Sequence, residues 1–199
     1  MQRIMLYRRL MGSLVGALLG CAAMPLAVAA LKTPPPTVVY YDLDGLSRAE
    51  LREQLSRLGP RDPISGRIYQ GSSEWRQEIS YGLREEADEC IVDWVDTQIS
   101  VTITLPRWTR LEAAPPELRQ RWMAFAEAMK RHEYGHYGFG LQMGEELQAA
   151  VEGMRNGGGC KALRKEIDGL SRKLLRKYRE LDREYEQRTA HGAEAGVVL

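Results

Sequence analysis

Two histidines four residues apart, His132 and His136, with Glu133 directly after the first, stand in the stretch "RHEYGHYGFG". On an α-helix that spacing brings side chains to nearly the same face, one turn apart and about 40° round the axis, so both imidazoles could grip one cation. Glu133 lies about 100° from His132, well aimed at a metal-bound water and poorly aimed to be a ligand itself. Each residue type of this HExxH arrangement serves a separate purpose. Neutral imidazoles suit Zn2+ and leave a coordination position for water, whose pKa the cation lowers toward neutrality. A carboxylate beside that water can take its proton during attack on a carbonyl and pass it to the leaving amine, which makes Glu133 the candidate catalytic base. The string also arises by chance, and histidines in an apolar helix stripe are often packed residues, so the rest of the chain must support the reading.

A catalytic zinc needs a third protein ligand, and the chain holds one more histidine, His191, in "YEQRTAHG". If the two long helices read below pack antiparallel, the second returns toward the start of the first. His132 lies about 27 residues before the glycine-rich turn and His191 about 32 after it, comparable distances along two rods at 1.5 Å per residue. His191 is therefore the first candidate for the third metal ligand and Glu186 the second. Glu145 and Glu146 lie two to three turns beyond His136, too far to share its ion. Tyr185 is a candidate catalytic group, and Tyr134, Tyr137 and Arg188 are further candidates to stabilise an oxyanion or orient a substrate. The pattern is not that of a metzincin, because Phe139 and Gln142 stand where the extended HExxHxxGxxH motif needs Gly and His.

The elements that must position these residues are legible in periodicity. From Pro115-Pro116, a good helix start, residues recur at Leu118, Trp122, Phe125, Met129, His132, His136, Phe139, Met143, Leu147 and Met154, one long helix that ends at "NGGGC". Gly135, Gly138, Gly140 and Gly144 together cost it roughly 3 to 4 kcal/mol relative to alanine, so something must approach its backbone closely. A second helix follows Cys160, with its stripe at Leu163, Ile167, Leu170, Leu174, Tyr178, Leu181 and Tyr185. Its basic "SRKLLRKYR" has acidic residues interleaved before and after it and reads as a solvated face, not a nucleic-acid surface. Upstream, "TVVYYDL" is strand-like, and Ser47 caps a helix "RAELREQLSRL" with Leu51, Leu55 and Leu58 on one face, stopped by Gly59-Pro60. Residues 75–83 alternate with Trp75, Ile79, Tyr81 and Leu83 on one side, and residues 99–105 with Ile99, Val101, Ile103 and Leu105. The fold class is α+β: a small antiparallel sheet packed on the HExxH helix and an antiparallel C-terminal helix, a zincin-like arrangement.

With 199 residues, 44% hydrophobic and 28% charged, and a net charge of +1, the chain fits one globular domain, and nothing in the balance points to a polyanionic partner. "MQRIMLYRRL", the apolar run after it and Ala27-Val28-Ala29 read as a secretory signal over residues 1–29. A proline-rich linker spans 30–37, the domain 38–192 and a tail 193–199. Leu18-Leu19-Gly20-Cys21 resembles a lipobox, so a lipid-anchored envelope protein is the alternative, and a membrane partner follows only if Cys21 is lipidated. Loss of the signal leaves Cys90 and Cys160, expected to form a disulfide in the periplasm or outside the cell.

"LGPRD", "ITLPRWT", "KRHEYGH" and "YEQRTAHG" together resemble a family of bacterial exported proteins of unknown function described as predicted secreted zinc-dependent proteases. The resemblance runs from about Val38 to Gly192. It implies zinc at His132 and His136, Glu133 as base and a role for His191. The family tail carries Tyr-Asp where this chain has Tyr185-Glu186, which weighs against Glu186 as a direct ligand. The expected function is an exported zinc metallohydrolase, foremost a peptidase acting on peptide or protein substrates. A cell-wall amide hydrolase and a non-catalytic envelope protein with structural metal, or none, are the alternatives.

Overall fold

A computed structural model describes residues 33–63 and 65–199. The signal segment, Cys21 and the first three residues of the linker lie outside the described residues.

The chain runs β1 (Thr37–Leu43), α1 (Arg48–Leu58), β2 (Ser72–Glu85), β3 (Cys90–Trp108), α2 (Pro116–Val151), β4 (Arg155–Asn156) and α3 (Cys160–Arg188). Ser47 caps α1 as its sequence requires, its hydroxyl accepting from the Glu50 backbone N–H at 3.2 Å. Leu51 and Leu55 are buried, whereas Leu58 is 39% exposed where the helix runs out at Gly59.

The sheet is mixed rather than antiparallel. β2 and β3 form a long antiparallel hairpin with a bulge at Gly82/Leu83, but β1 lies on the other side of β3 and runs parallel to it, in the order β1-β3-β2. Because α1 and the following loop carry the chain from β1 to the far edge, the hairpin partner of β2 is left in the middle. Alternation in β3 then does what period two demands: Ile99, Val101, Ile103 and Leu105 turn their side chains to one buried face. That face meets Trp122, Phe125 and Met129 of α2 in one core cluster; Met143, Leu147 and Val151 join Leu163, Ile167 and Tyr178 of α3 in a second. Gly140 sits at the close approach of α2 to the sheet, where a Cβ would stand 3.3 Å from the Trp75 side chain and 3.4 Å from Ile99.

Helix α2 opens with Pro116 at its first turn and stops at Val151, earlier than the glycine run suggested, because Gly153 turns into the left-handed region (φ +70°). Arg155 and Asn156 pair with Ile91 and Cys90 as β4. Met154 thus lies beyond the helix, packed against the second cluster. Cys90 and Cys160 are joined by a disulfide across 70 residues, tying the start of β3 to the start of α3. Helix α3 returns antiparallel to α2. His132 meets Glu186, His136 meets Asp182, and Glu146 meets Tyr178 and Lys177, each step up one helix matched by a step down the other. The stretch 193–199 is packed, not loose: Leu199 is 6% exposed within the first cluster, and Arg48 donates to its carbonyl at 2.9 Å.

Candidate metal centre

The antiparallel pairing of α2 and α3 sets a carboxylate opposite the histidine pair. His132 and His136 are 5% and 7% exposed, and their Nε2 atoms face one another at 3.3 Å. Glu186 Oε1 stands 3.0 Å from His132 Nε2 and 2.7 Å from His136 Nε2. These three residues form a group able to hold a metal ion, their donor atoms all within 4.8 Å of one another. Donors spaced at the tetrahedral angle around zinc, at about 2.0–2.1 Å from the ion, are about 3.3 Å apart, so the triangle needs to open only slightly to accept one.

The third member is Glu186, the second candidate, and not His191. Helix α3 ends at Arg188, and the cap that follows turns His191 back onto Glu186, where its Nδ1 meets the other carboxylate oxygen, Oε2. The ring of His191 is half exposed and lines both cavities beside Glu133 and Glu186, outside the three-residue group. The Tyr-Asp to Tyr-Glu departure in the tail therefore does not remove Glu186 from the site.

Asp182, which lies outside the HExxH motif and the tail, stands 2.7 Å from His136 Nδ1. A carboxylate on the far nitrogen fixes the tautomer and aim of a metal-binding imidazole. The signal was present, since Asp182 and Glu186 are four apart and share a face of α3, but it is meaningful only once α3 is known to face the histidines. His132 has no such partner: its Nδ1 is buried and without a hydrogen bond. Its ring is held instead by Tyr185, stacked at 5.1 Å and 16°. The Tyr185 hydroxyl donates to the carbonyl of His132 at 3.3 Å, and the ring meets His136 edge-on at 5.0 Å. Gly135 is what admits that ring: a Cβ there would stand 2.7 Å from Tyr185 Cζ. The cost of glycine in α2 thus has its reason at Gly135 and Gly140, while nothing lies within 4 Å of a Cβ at Gly138.

Of the other tyrosines, Tyr134 is 37% exposed under Lys130 and Tyr137 packs against the first core cluster, so neither joins the group. The Arg188 guanidinium lies over the ring of Tyr185 at 5.7 Å.

Glu133 is 5% exposed and lines two cavities of about 280 and 270 Å3, which also share Tyr69, Gly71, Glu186 and His191. Gly71 passes so close that a Cβ there would lie 2.8 Å from Glu133 Oε1, and the Ser73 hydroxyl donates to the Glu133 carbonyl at 2.9 Å. Burial pushes the Glu133 carboxyl above the ordinary carboxylate range, against the pull of His136. Burial also works against a charged His136, but its hydrogen bonds to Asp182 and Glu186 outweigh this and push it up to about 10. Burial would raise the Glu186 carboxyl as well; the hydrogen bonds to His132 and His136 hold it well below the usual range instead.

Among the described residues no helix is long and apolar enough to cross a membrane, and the disulfide fits an oxidising compartment. Residues 38–192 match the profile of a family described as a bacterial protein of unknown function, DUF922. Neither a curated protein nor a solved structure matches the chain.

Proposed function

The chain belongs to DUF922, a bacterial family to which no activity is assigned, and from that premise we propose that it is an exported, zincin-like zinc hydrolase that cleaves amide bonds, foremost those of peptides. One observation carries the reading: His132 Nε2, His136 Nε2 and Glu186 Oε1 converge at 2.7–3.3 Å while the carboxylate of Glu133 lines the cavities beside them. Two histidines and a glutamate are a catalytic zinc set, and three protein ligands leave a position for water. When bound, zinc would supply Lewis acidity and an acidified water.

The protein's own residues do the rest. Glu133 accepts the proton of the attacking water and delivers it to the departing nitrogen; its burial and raised basicity suit both halves of that transfer. Asp182 holds His136 in the tautomer that presents Nε2, and Tyr185 holds His132 by stacking. With its hydroxyl on the His132 carbonyl, Tyr185 is better suited to this positioning role than to oxyanion stabilisation. A structural metal would want a fourth protein ligand, and among the described residues the group contains three. The disulfide supports a periplasmic or secreted location.

The test is Glu133→Gln. The variant should retain one equivalent of zinc by metal analysis while hydrolysis falls about 10²- to 10⁴-fold. Parallel incubations with casein and purified peptidoglycan assign the substrate to protein or cell-wall peptide. Full turnover by the variant, or no zinc in the wild type, refutes the proposal.

A further inference from the structure

The two oxygens of Glu186 are divided between two sets of partners. Oε1 faces both histidine Nε2 atoms, and Oε2 meets Nδ1 of His191. A glutamate side chain has several rotatable bonds and can offer a cation one oxygen or two, so something must select the geometry.

The end of α3 is built to do so. The backbone N–H of Ala190 donates to the carbonyl of Gln187 at 3.2 Å and that of His191 to the carbonyl of Glu186 at 2.9 Å. These are the paired bonds of a Schellman cap, in which the residue two past the cap comes to rest against the side chain three before it. Here those positions are His191 and Glu186, and the contact that is elsewhere hydrophobic is a hydrogen bond. The turn needs left-handed backbone, normally supplied by glycine, yet Ala190 (φ 47°) and His191 (φ 54°) adopt it. Strained residues persist where their surroundings over-determine them. Here the surroundings do: Val197 N–H donates to the Gly192 carbonyl at 3.0 Å, and Leu199 is buried in the core. A Cβ on Gly192 would lie 3.3 Å from the His132 ring, so the cap is clamped against the site itself.

We propose that His191 is a positioning residue that holds Glu186 as a one-oxygen metal ligand, and that the packed segment after α3 exists to keep it there. This rests on the metal reading above. Carboxylate and imidazole partners behind metal ligands commonly change affinity by about 10- to 100-fold when removed.

Three full-length proteins separate the possibilities: wild type, His191→Ala and His191→Asn. Asparagine offers an amide donor to Oε2 and tolerates left-handed backbone. Zinc affinity is read by chelator competition, and ligand geometry by the visible spectrum of the cobalt(II) form. His191→Ala should bind zinc about 10- to 100-fold more weakly, with an altered cobalt spectrum. His191→Asn should stay within about threefold of wild type. Unchanged affinity and spectrum in His191→Ala would overturn the inference. So would equal weakness of both variants, which would make the imidazole itself a ligand. A wild type that binds neither metal would overturn the underlying metal reading, and this inference with it.

Discussion

Gly135 and Gly138 lie three residues apart on the same helix, and the structure predicts opposite outcomes for the same substitution. Nothing lies within 4 Å of a Cβ at Gly138, so Gly138→Ala should collect the full helix-propensity gain of about 1 kcal/mol. Gly135→Ala collects the same gain, but its Cβ would stand 2.7 Å from Cζ and 3.1 Å from Cε1 of Tyr185. Carbon atoms meet comfortably at about 3.5–4.0 Å, so the ring must retreat by about 1 Å. Overpacking of that kind costs about 1–3 kcal/mol, which leaves a net loss of up to about 2 kcal/mol. Tyr185 stacks on His132 and precedes Glu186, so the displacement also falls on the ligand group. Urea unfolding with the disulfide intact measures both effects as shifts of midpoint at constant slope. Repeating Gly135→Ala in a Tyr185→Ala background removes the obstacle and should turn the loss into a gain, a coupling of about 1–3 kcal/mol. If Gly135→Ala is as stable as Gly138→Ala, or if its penalty survives without the ring, the account of the helix glycines is wrong.

The same structure sets other expectations. With His136 pushed up to about 10, its contribution to the metal-free protein is fully present below its ordinary 6.5 and is lost as pH rises toward 10. Glu186, held low, contributes above its ordinary 4.5 and loses its share as the pH falls below that. Zinc would have to displace the His136 proton, so affinity should climb as pH rises toward 10, with proton release measurable by calorimetry in buffers of different ionisation enthalpy; a pH-independent affinity would contradict this. Replacing both cysteines of the Cys90–Cys160 bridge with serine opens a 70-residue loop and should cost about 4 kcal/mol in thermal or urea unfolding. Ala190→Gly relieves a left-handed alanine and should stabilise the fold by about 1 kcal/mol without changing zinc stoichiometry; a loss of stability would show that the cap is not strained.

The sequence alone determined the local elements and half the site. Periodicity located α1, α2 and α3 because an amphipathic helix must repeat its apolar residues every 3.6 positions whatever it packs against, and HExxH placed two imidazoles on one face by helix geometry alone. Cysteine arithmetic found the disulfide. The order of the strands, with β1 parallel to β3, was decided only in three dimensions, since alternation tells a strand which face is buried and not which neighbour it pairs with. The choice between Glu186 and His191 was likewise tertiary. Both lie near the end of α3, and the rotational phase of that helix against α2, together with a left-handed cap that carries no glycine at Ala190, sets which of the two meets the histidine pair. Asp182 entered for the same reason: a carboxylate becomes part of a metal site only when another element brings an imidazole within hydrogen-bond reach, and a one-dimensional pattern does not record that distance.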